Sequence, residues 1–478
     1  MKAPTLKCTC QLALLIFVTL FSSCKQSTNK TDAEKEGNNG SSTFTFASEN
    51  NNVKKVEIPS YPLTSEKDLD ILMKEIGDAR VVLLGEASHG TSEYYTWRAA
   101  ISKRLIQEKG FDFIAVEGEW ADCYRVNNFI KGEKKDSAAV IQLLKNYNRW
   151  PTWMWGNYEF ASLVSWLNTY NQSQKNVSKA GFYGLDVYCL WESMTELMPY
   201  IKNAEPDIKN AAQKVHTCFK PYSSDPHDYA MAVAKLDASC RNETSAFWKN
   251  MLKYTGGNPE RREDFFVMEQ NALVALNGER YYRAAVESSN ESWNIRDRHM
   301  AETLDRLLKQ HGPESKAIIW EHNTHIGDAR YTDMSAGGMV NVGELVRKKY
   351  GQENVYIVGF GSNEGTVIAS ERWGSPHKVM NVPKAPADSW EYLLHKAGAN
   401  NKIVLSKELV ENKRLKKSIG HRAIGVVYDP AIESYGNYVP TIIPKRYDAF
   451  IYIDKTKALR PLGTPVNNDP PDLWPSGT

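Results

Sequence analysis

The sequence predicts an α/β fold, with a central, mainly parallel sheet flanked by helices and an inserted helical subdomain. Three observations support this prediction. Short apolar runs typical of strands buried on both faces occur early and late in the domain. Helical patterns separate the early runs, so the strands that they connect are expected to be parallel. Between residues 191 and 312 the pattern is helical throughout, which is too long for a crossover between two strands.

These changes of pattern divide the chain into six expected segments. They are a lipoprotein-type signal peptide at 1–24, a flexible linker at 25–55, the first part of the α/β core at 56–190, a helical subdomain at 191–312, the second part of the core at 313–462, and a tail at 463–478. The linker is polar with few apolar residues, which is typical of a solvated spacer.

The N-terminus has the pattern of a bacterial lipoprotein signal. Lys2 and Lys7 precede an apolar run from Leu12 to Phe21, and two serines then lead to Cys24. Cleavage before Cys24 would leave a lipid-anchored N-terminus, so we expect an exported protein held at a membrane without a spanning helix. Plain secretion and an uncleaved anchor are the alternatives.

Composition excludes one class of partner and leaves one question about cysteines open. The formal net charge is only +2 and there are no basic blocks, so nucleic acid is not an expected partner. Cys218 and Cys240 can form a disulfide outside the cytoplasm, although separate thiols fit the sequence as well.

The stretch from Val81 to Trp97 contains the first strand and the first candidate site. Val81–Leu84 is an apolar run that predicts a buried strand, and the helix after it is capped by Thr91 or Ser92 and ends at Gly110. Ligands of open α/β sheets bind at the carboxyl ends of strands, where helix N-termini also stabilise negative charge. In the turn between strand and helix, Glu86 and His89 therefore form a candidate acid/base pair.

Further strands are expected wherever similar apolar runs occur. They lie at 111–120, 180–188, 316–320, 355–360, 423–428 and 449–453. Three of these runs end in residues that carry chemistry: Glu117 and Glu119, then Asp186, and finally Glu321, His322 and His325. Glu117 and Glu119 face the same way in a regular strand, unless Gly118 breaks the alternation.

Acids and imidazoles at four strand ends indicate one shared active site, because buried carboxylates need partners and imidazole supplies them. No GxSxG elbow is present, and Ser88 is a weak nucleophile candidate because it is only a sequence neighbour of His89. These residues favour direct activation of water by His89, with Glu86 or Glu117 orienting the imidazole. Arg98 is either a surface arginine or a cation that faces the cleft and binds a carboxylate or developing oxyanion.

A series of short motifs runs in order through nearly the whole domain. It comprises Gly85-Glu86-Ala87-Ser88-His89-Gly90, Val116-Glu117-Gly118, Trp150-Pro151-Thr152-Trp153-Met154-Trp155, Gly184-Leu185-Asp186, Arg296-Asp297, Glu321-His322-Asn323-Thr324-His325 and Gly425-Val426-Val427-Tyr428. Together the motifs resemble those of the erythromycin esterase family, over roughly residues 69–462. The resemblance implies an α/β core with added helices and hydrolysis of the lactone ester of a macrolide.

The resemblance also implies roles for individual residues. Glu86 and His89 match the acid and the general-base histidine, and Arg98 matches the arginine nine residues later. Glu117 matches the acid that closes the next strand, and the remaining catalytic positions are the later histidine pair, His322 and His325.

Three hypotheses follow for the function. The first is an esterase that needs no cofactor and cleaves a small-molecule ester, with Glu119, Asp186 and Trp153 in substrate binding. The second is a metal-dependent hydrolase or peptidase that holds a divalent ion at Glu86, His89, His322 and His325. The third is an anchored lipoprotein that binds haem or a similar ligand.

Overall fold

The computed structural model describes residues 57–463 apart from 175–177, 203, 223–225, 257–262 and 414. The expected signal peptide, the lipidation site at Cys24 and the linker lie outside the described residues. None of the helices in this part of the chain is long and apolar enough to cross a membrane.

Nine of the strands in the described residues form one sheet, and the other two form a small antiparallel pair. The strands are β1 (Tyr61–Pro62), β2 (Val81–Leu84), β3 (Phe113–Glu119), β4 (Gly181–Asp186), β5 (Ala317–Trp320), β6 (Val355–Ser370), β7 (His377–Val382), β8 (Lys402–Leu405), β9 (Ile419–Arg422), β10 (Tyr438–Thr441) and β11 (Ala449–Thr456). The pair consists of β9 and β10.

Helices cover the sheet and build the inserted region. They are α1 (Asp70–Ile76), α2 (Ser92–Lys109), α3 (Trp120–Lys131), α4 (Ser137–Leu144), α5 (Tyr158–Ser173), α6 (Leu190–Ile201), α7 (Pro206–Phe219), α8 (Pro226–Leu236), α9 (Arg241–Gly256), α10 (Glu263–Ala285), α11 (Ser289–His311), α12 (Asn323–Ile326), α13 (Val342–Tyr350), α14 (Trp390–Lys396), α15 (Ser406–Leu409), α16 (Glu433–Gly436) and α17 (Ile443–Arg446). Short 3-10 helices lie at Glu66–Leu69, Thr152–Met154, Lys220–Tyr222, Ala329–Tyr331 and Gln352–Asn354.

The sheet is mainly parallel, which confirms the predicted fold class. Its order is β1-β8-β11-β6-β2-β5-β3-β4, and β7 extends it by pairing with β6. The six strands from β11 to β4 in this order run parallel to one another. Two further strands run antiparallel to them, since β8 pairs with β11 and β7 pairs with β6. β2 and β3 are parallel as predicted, but they are not neighbours because β5 lies between them. A strand from the second half of the chain therefore completes the centre of the sheet.

Helix α2 begins and ends where the sequence predicted. Thr91 is the extended N-cap residue, and Gly110 ends the helix in the left-handed conformation, with φ of +66°. The helix buries Tyr94, Ile101 and Leu105 in the apolar cluster on one face of the sheet. This packing holds the preceding turn, with Glu86 and His89, at the sheet edge.

Residues 423–428 are not a strand, so that prediction was wrong. Ile424 and Val427 form only isolated bridges, to Ser88 and Ser370. The apolar character of the segment has another cause, since Ile424 packs in a small buried cluster beside β6 and β7. β6 itself is longer than predicted, because beyond its pairing with β2 it continues along β11 and then β7.

The inserted helices have an apolar cluster of their own. Residues of α6 to α10, among them Val215, Phe247 and Met251, pack together apart from the two clusters on the sheet faces. A disulfide joins Cys218 to Cys240, with a Cα–Cα distance of 5.8 Å, which resolves the choice left open by the sequence. Helix α11 differs from its neighbours, because its C-terminal half packs on the sheet.

Candidate active site

The carboxyl ends of four adjacent strands bring the candidate residues together. Glu86 and His89 follow β2, Glu321 follows β5, Glu117 lies near the end of β3, and Asp186 ends β4. All five side chains are buried. A cluster of buried ionisable groups at this edge of a parallel sheet is the expected position of an active site.

Glu86 holds both His89 and Arg98. Its Oε1 lies 3.0 Å from His89 Nδ1, and its Oε2 accepts a 2.5 Å hydrogen bond from Arg98 Nη2. Gly90 ends the turn where only glycine fits, because a Cβ there would lie 1.9 Å from the Ile368 carbonyl oxygen. The turn is thus clamped against β6, and the imidazole is held by its Nδ1.

Arg98 neither lies on the surface nor faces the cavity, contrary to the two readings of the sequence. It is 1% exposed, and its guanidinium lies 4.6 Å from the ring centres of both Tyr95 and Trp320. Its partner is Glu86, so Arg98 positions the acid that positions His89. The expected contact with a substrate oxyanion is not supported by this location.

Arg296 of α11 is the central cation of the site, and the sequence reasoning did not assign it a role. Its Nε and Nη2 donate to the two oxygens of Asp186 at 2.9 and 2.6 Å. Nη2 also donates to Glu117 Oε1 at 2.7 Å, and Nη1 to His325 Nε2 at 2.8 Å. The one signal in the sequence was the Arg296-Asp297 motif, which a helical pattern alone could not place at the sheet edge.

The two later histidines have different surroundings. His325 is engaged at both nitrogens, because Nδ1 lies 3.0 Å from either oxygen of Asp297 and Nε2 accepts from Arg296. The His322 ring centre lies 5.0 Å from that of His89, and its Nδ1 accepts from the Thr324 backbone N–H at the start of α12. Burial and the neighbouring His89 hold the pKa of His322 well below its usual range. His322 is therefore a neutral imidazole that caps a helix.

Glu117 and Glu119 diverge, because the register of β3 against β4 shifts between Val116 and Glu119. Glu117 Oε2 accepts from the His322 backbone N–H at 2.8 Å. Glu119 instead turns towards Arg149, with 3.3 Å between Oε1 and Nε. The break at Gly118 considered from the sequence is thus present, and the two acids serve different parts of one cavity.

Four of the nine predicted site residues line that cavity, namely His89, Glu117, Glu119 and Asp186. Its chemically active lining residues are His89, Glu117, Glu119, Asp122, Arg149, Asp186 and Arg296. Its volume is about 70 Å³, roughly five water molecules at about 10–15 Å³ each. Trp153 does not line the cavity, because its side chain lies in the apolar core, whereas Trp150 and Trp155 do. A pattern of alternating tryptophans could not show which ring faced inward.

The pKa values of His89 and Glu117 are shifted in opposite directions by their surroundings. Burial alone would lower the pKa of His89, but the charge of Glu117 and the hydrogen bond to Glu86 outweigh it, so the pKa is raised. Burial alone would raise the pKa of Glu117, but His325, Arg296 and His89 outweigh it and lower the pKa. Glu117 is therefore a permanent carboxylate, and it lies beside an imidazole whose pKa is above its ordinary value.

Two of the four residues considered as metal ligands, Glu86 and His325, are fully engaged by protein partners. Both oxygens of Glu86 and both nitrogens of His325 have protein partners. Burial, with the charges of Glu117 and Asp297, raises the pKa of the adjacent Glu321 well above its usual range, and a neutral acid is a poor ligand. No group of three or more His, Cys, Asp or Glu in the described ranges is arranged to hold a metal ion.

A parallel α/β sheet with a buried Glu–His pair facing a cavity at its carboxyl edge defines an enzyme with an acid/base site. The chain belongs to the erythromycin esterase family, whose model matches residues 106–456. It is thus a hydrolase of that family.

Known proteins show the same likeness at low identity. The chain is 24% identical to erythromycin esterase type II of Escherichia coli, over 57% of this chain and 68% of that protein. It is 21% identical to the putative hydrolase YbfO of Bacillus subtilis (strain 168), over 82% of this chain and 86% of that protein. A solved erythromycin esterase mutant in its open conformation has the same fold, with a TM-score of 0.59 and 16% identity over 84% of this chain and 98% of that one.

Proposed function

We propose that the protein hydrolyses carboxylic esters with a water molecule activated by His89. The observation that carries this proposal is the orientation of His89. Its Nδ1 is held by Glu86, which leaves Nε2 for the cavity that the ring lines beside Glu117. A base held in this way can take a proton from water, and carboxylates on two sides stabilise the imidazolium that forms.

The reaction proceeds in two proton-balanced steps. Water attacks the ester carbonyl carbon while its proton moves to His89 Nε2, and the carbonyl π-electron pair becomes the oxyanion of a tetrahedral intermediate. The intermediate then collapses with cleavage of the bond to the alkoxy oxygen, which receives the proton from His89. The products are a carboxylic acid and an alcohol, and His89 returns to its neutral form.

Arg296 takes the role that the sequence reasoning gave to Arg98. It lines the cavity, and four of its five N–H groups are engaged by Asp186, Glu117 and His325. The remaining N–H, on Nη1, is the donor that we assign to the developing oxyanion. A charged donor fixed by three protein partners needs little reorganisation when the oxyanion forms.

A serine nucleophile is the competing mechanism, and its geometry is less favourable. Ser88 Oγ is hydrogen-bonded to Thr91 Oγ1 rather than to His89. Ser88 is also absent from the residues that line the cavity. Direct attack by water accounts for the arrangement without moving the turn.

The cavity limits the size of the group that can be buried beside His89. About 70 Å³ is well below the ~300–1,000 Å³ of pockets that enclose a whole drug-sized ligand. The ester group and its immediate substituents fit in this volume. A macrolide such as erythromycin, which appears in the names of two relatives, requires the cavity walls to move apart. We therefore propose a carboxylic ester as substrate class, with macrolide lactones as the first candidates.

Hydrolysis in ¹⁸O-labelled water tests the proposal. Incubation of the purified protein with macrolides and simple esters should place one ¹⁸O atom in the acid product within a single turnover, as detected by mass spectrometry. His89→Gln should fold normally and lose about 10²–10⁴-fold in turnover, the scale of a missing general base. A trapped acyl adduct on Ser88, or activity abolished by a chelator and restored by zinc, would contradict the mechanism.

A further inference from the structure

The region around the cavity carries more carboxyl groups than guanidinium groups. Two arginines that line the cavity each contact two carboxylates: Arg296 with Glu117 and Asp186, and Arg149 with Glu119 and Glu192. The exposed Arg125 contacts the lining residue Asp122 and also Glu196. Six acids thus share three guanidinium groups among the described residues. Such an arrangement attracts a positive charge.

Glu119 is the acid with unused capacity on the cavity wall. It is 9% exposed, and its Oε2 is buried and accepts no hydrogen bond from the described residues. The Cys189 thiol, a weak donor, lies beside the carboxyl. Burial raises the pKa of Glu119 to about 8, with Asp186 and Glu192 adding to the increase and Arg149 opposing it. A buried carboxyl oxygen without a partner is costly, and a bound cation would supply that partner.

Aromatic rings form much of the remaining wall. Those that line the cavity are Tyr147, Trp150, Trp155, Tyr188, Tyr282 and Trp373. The faces of such rings attract organic cations, whereas calcium and magnesium need a shell of oxygen ligands. In the part of the chain that the structure describes, no three or more His, Cys, Asp or Glu side chains are arranged so that they could hold a metal ion. The combination of acids and rings therefore favours an organic ammonium over a metal ion.

We propose that the cavity binds an organic ammonium group, with Glu119 as its counter-ion and the aromatic side chains as its walls. The inference rests on the proposed function for the position of the ester bond. It narrows the substrate class to carboxylic esters that carry a protonated or quaternary amine on the acyl or the alkoxy side.

Binding of two alcohols of nearly the same shape tests the inference without any hydrolysis. Choline carries a trimethylammonium group, and 3,3-dimethylbutan-1-ol carries an uncharged tert-butyl group in its place. Calorimetry on the full chain at about pH 9, where Glu119 is ionised, should show choline bound at least about tenfold more tightly, with tryptophan fluorescence as a second readout. Equal affinity, or binding of neither compound, overturns the proposal, as does displacement of choline by an equimolar divalent metal.

A matched pair of variants assigns the preference to Glu119. Glu119→Gln should bring the two affinities together. Glu108→Gln should keep the difference, because Glu108 also pairs with an arginine but lies exposed on α2. A preference that survives in Glu119→Gln contradicts the assignment. The wild-type comparison needs no variant, so a folding defect in Glu119→Gln leaves the inference testable.

The outcomes for binding and for hydrolysis are separate. A preference for choline without hydrolysis of any amine-bearing ester would contradict the proposed function alone. Hydrolysis of esters without a preference for choline would contradict the ammonium site alone.

Discussion

At the scale of single residues, His89 is set by what touches its two nitrogens. Glu86 fixes Nδ1 at 3.0 Å, and the charge of Glu117 keeps the ring basic in spite of its burial. Only the neutral imidazole can accept a proton from water. In the proposed mechanism, activity therefore rises with pH through a pKa above the ordinary value of His.

Removal of the Glu86 charge should shift that dependence to lower pH. Glu86 raises the pKa of His89, so Glu86→Gln lowers it, and a larger share of His89 is neutral in mildly acidic solution. The measurement is the midpoint of the acid limb of kcat/KM against pH. The control is Glu302→Gln on the exposed face of α11, which should leave the midpoint in place. A midpoint unchanged in Glu86→Gln would show that another group is the base.

Arg98 should act through position, and its neighbours define the test. In Arg98→Lys the positive charge remains, but the flat contacts with Tyr95 and Trp320 are lost. We expect a loss of about 2 kcal/mol in the free energy of unfolding, the scale of a desolvated cation–π contact. Turnover should fall with it, because Glu86 loses its fixed partner.

Arg104→Lys is the matched control for Arg98, because it lies on the same helix and pairs with Asp70 and Glu108 near the surface. It should change the free energy of unfolding by less than about 0.5 kcal/mol. The free energy of unfolding from urea denaturation, and the turnover, are measured for both Arg98→Lys and Arg104→Lys and compared. Equal effects of the two substitutions would remove the special role of Arg98.

At the scale of elements, the disulfide links two helices of the inserted region. Cys218 near the end of α7 and Cys240 before α9 are 22 residues apart in sequence. A loop of this length predicts stabilisation of about 3 kcal/mol by the cross-link. Reduction with dithiothreitol should therefore increase amide hydrogen exchange in α7 to α9 while leaving the sheet protected.

Cys218→Ser provides the control for that reduction. In this variant the described part of the chain retains no disulfide, so the reductant should have no further effect on exchange. If the reductant changes the variant as much as the wild type, the effect does not come from this bond.

Helix α11 shows why an element cannot be assigned from its own pattern alone. It continues the helical run of the insertion, yet its Arg296 reaches residues at the ends of β3 and β4 and a histidine that follows β5. The ion pairs of Arg296 with Glu117 and Asp186 depend on this placement. The site is thus completed by a helix about 200 residues after the turn that carries His89.

At the scale of the whole molecule, we propose that the protein is exported and anchored by lipid at Cys24. The disulfide supports export, since such bonds persist in oxidising compartments. Cys24→Ser should abolish attachment of lipid and leave the protein soluble or unprocessed. Cell fractionation and labelling with a radioactive fatty acid measure this directly, and equal recovery of wild type and variant outside the membrane fraction would contradict the anchor.

Much of the architecture was determined by the sequence itself. Apolar runs located β2, β3, β4 and β5, because strands buried on both faces must be apolar along their length. Thr91 and Gly110 bounded α2 through the same capping chemistry that the structure contains. The parallel arrangement then placed the acids and histidines at strand ends on one edge of the sheet, without knowledge of the strand order.

Only the tertiary structure decided which charged groups meet. Arg98 is buried, and Arg296 is the cation that lines the cavity beside Glu117 and Asp186. Trp150 and Trp155 line the cavity, whereas Trp153 does not. Local patterns record which residues are buried, because burial follows the period of a helix or strand. They do not record the partner of a buried charge, since a desolvated ion is stabilised by whichever opposite charge the packing of distant elements brings within hydrogen-bond reach.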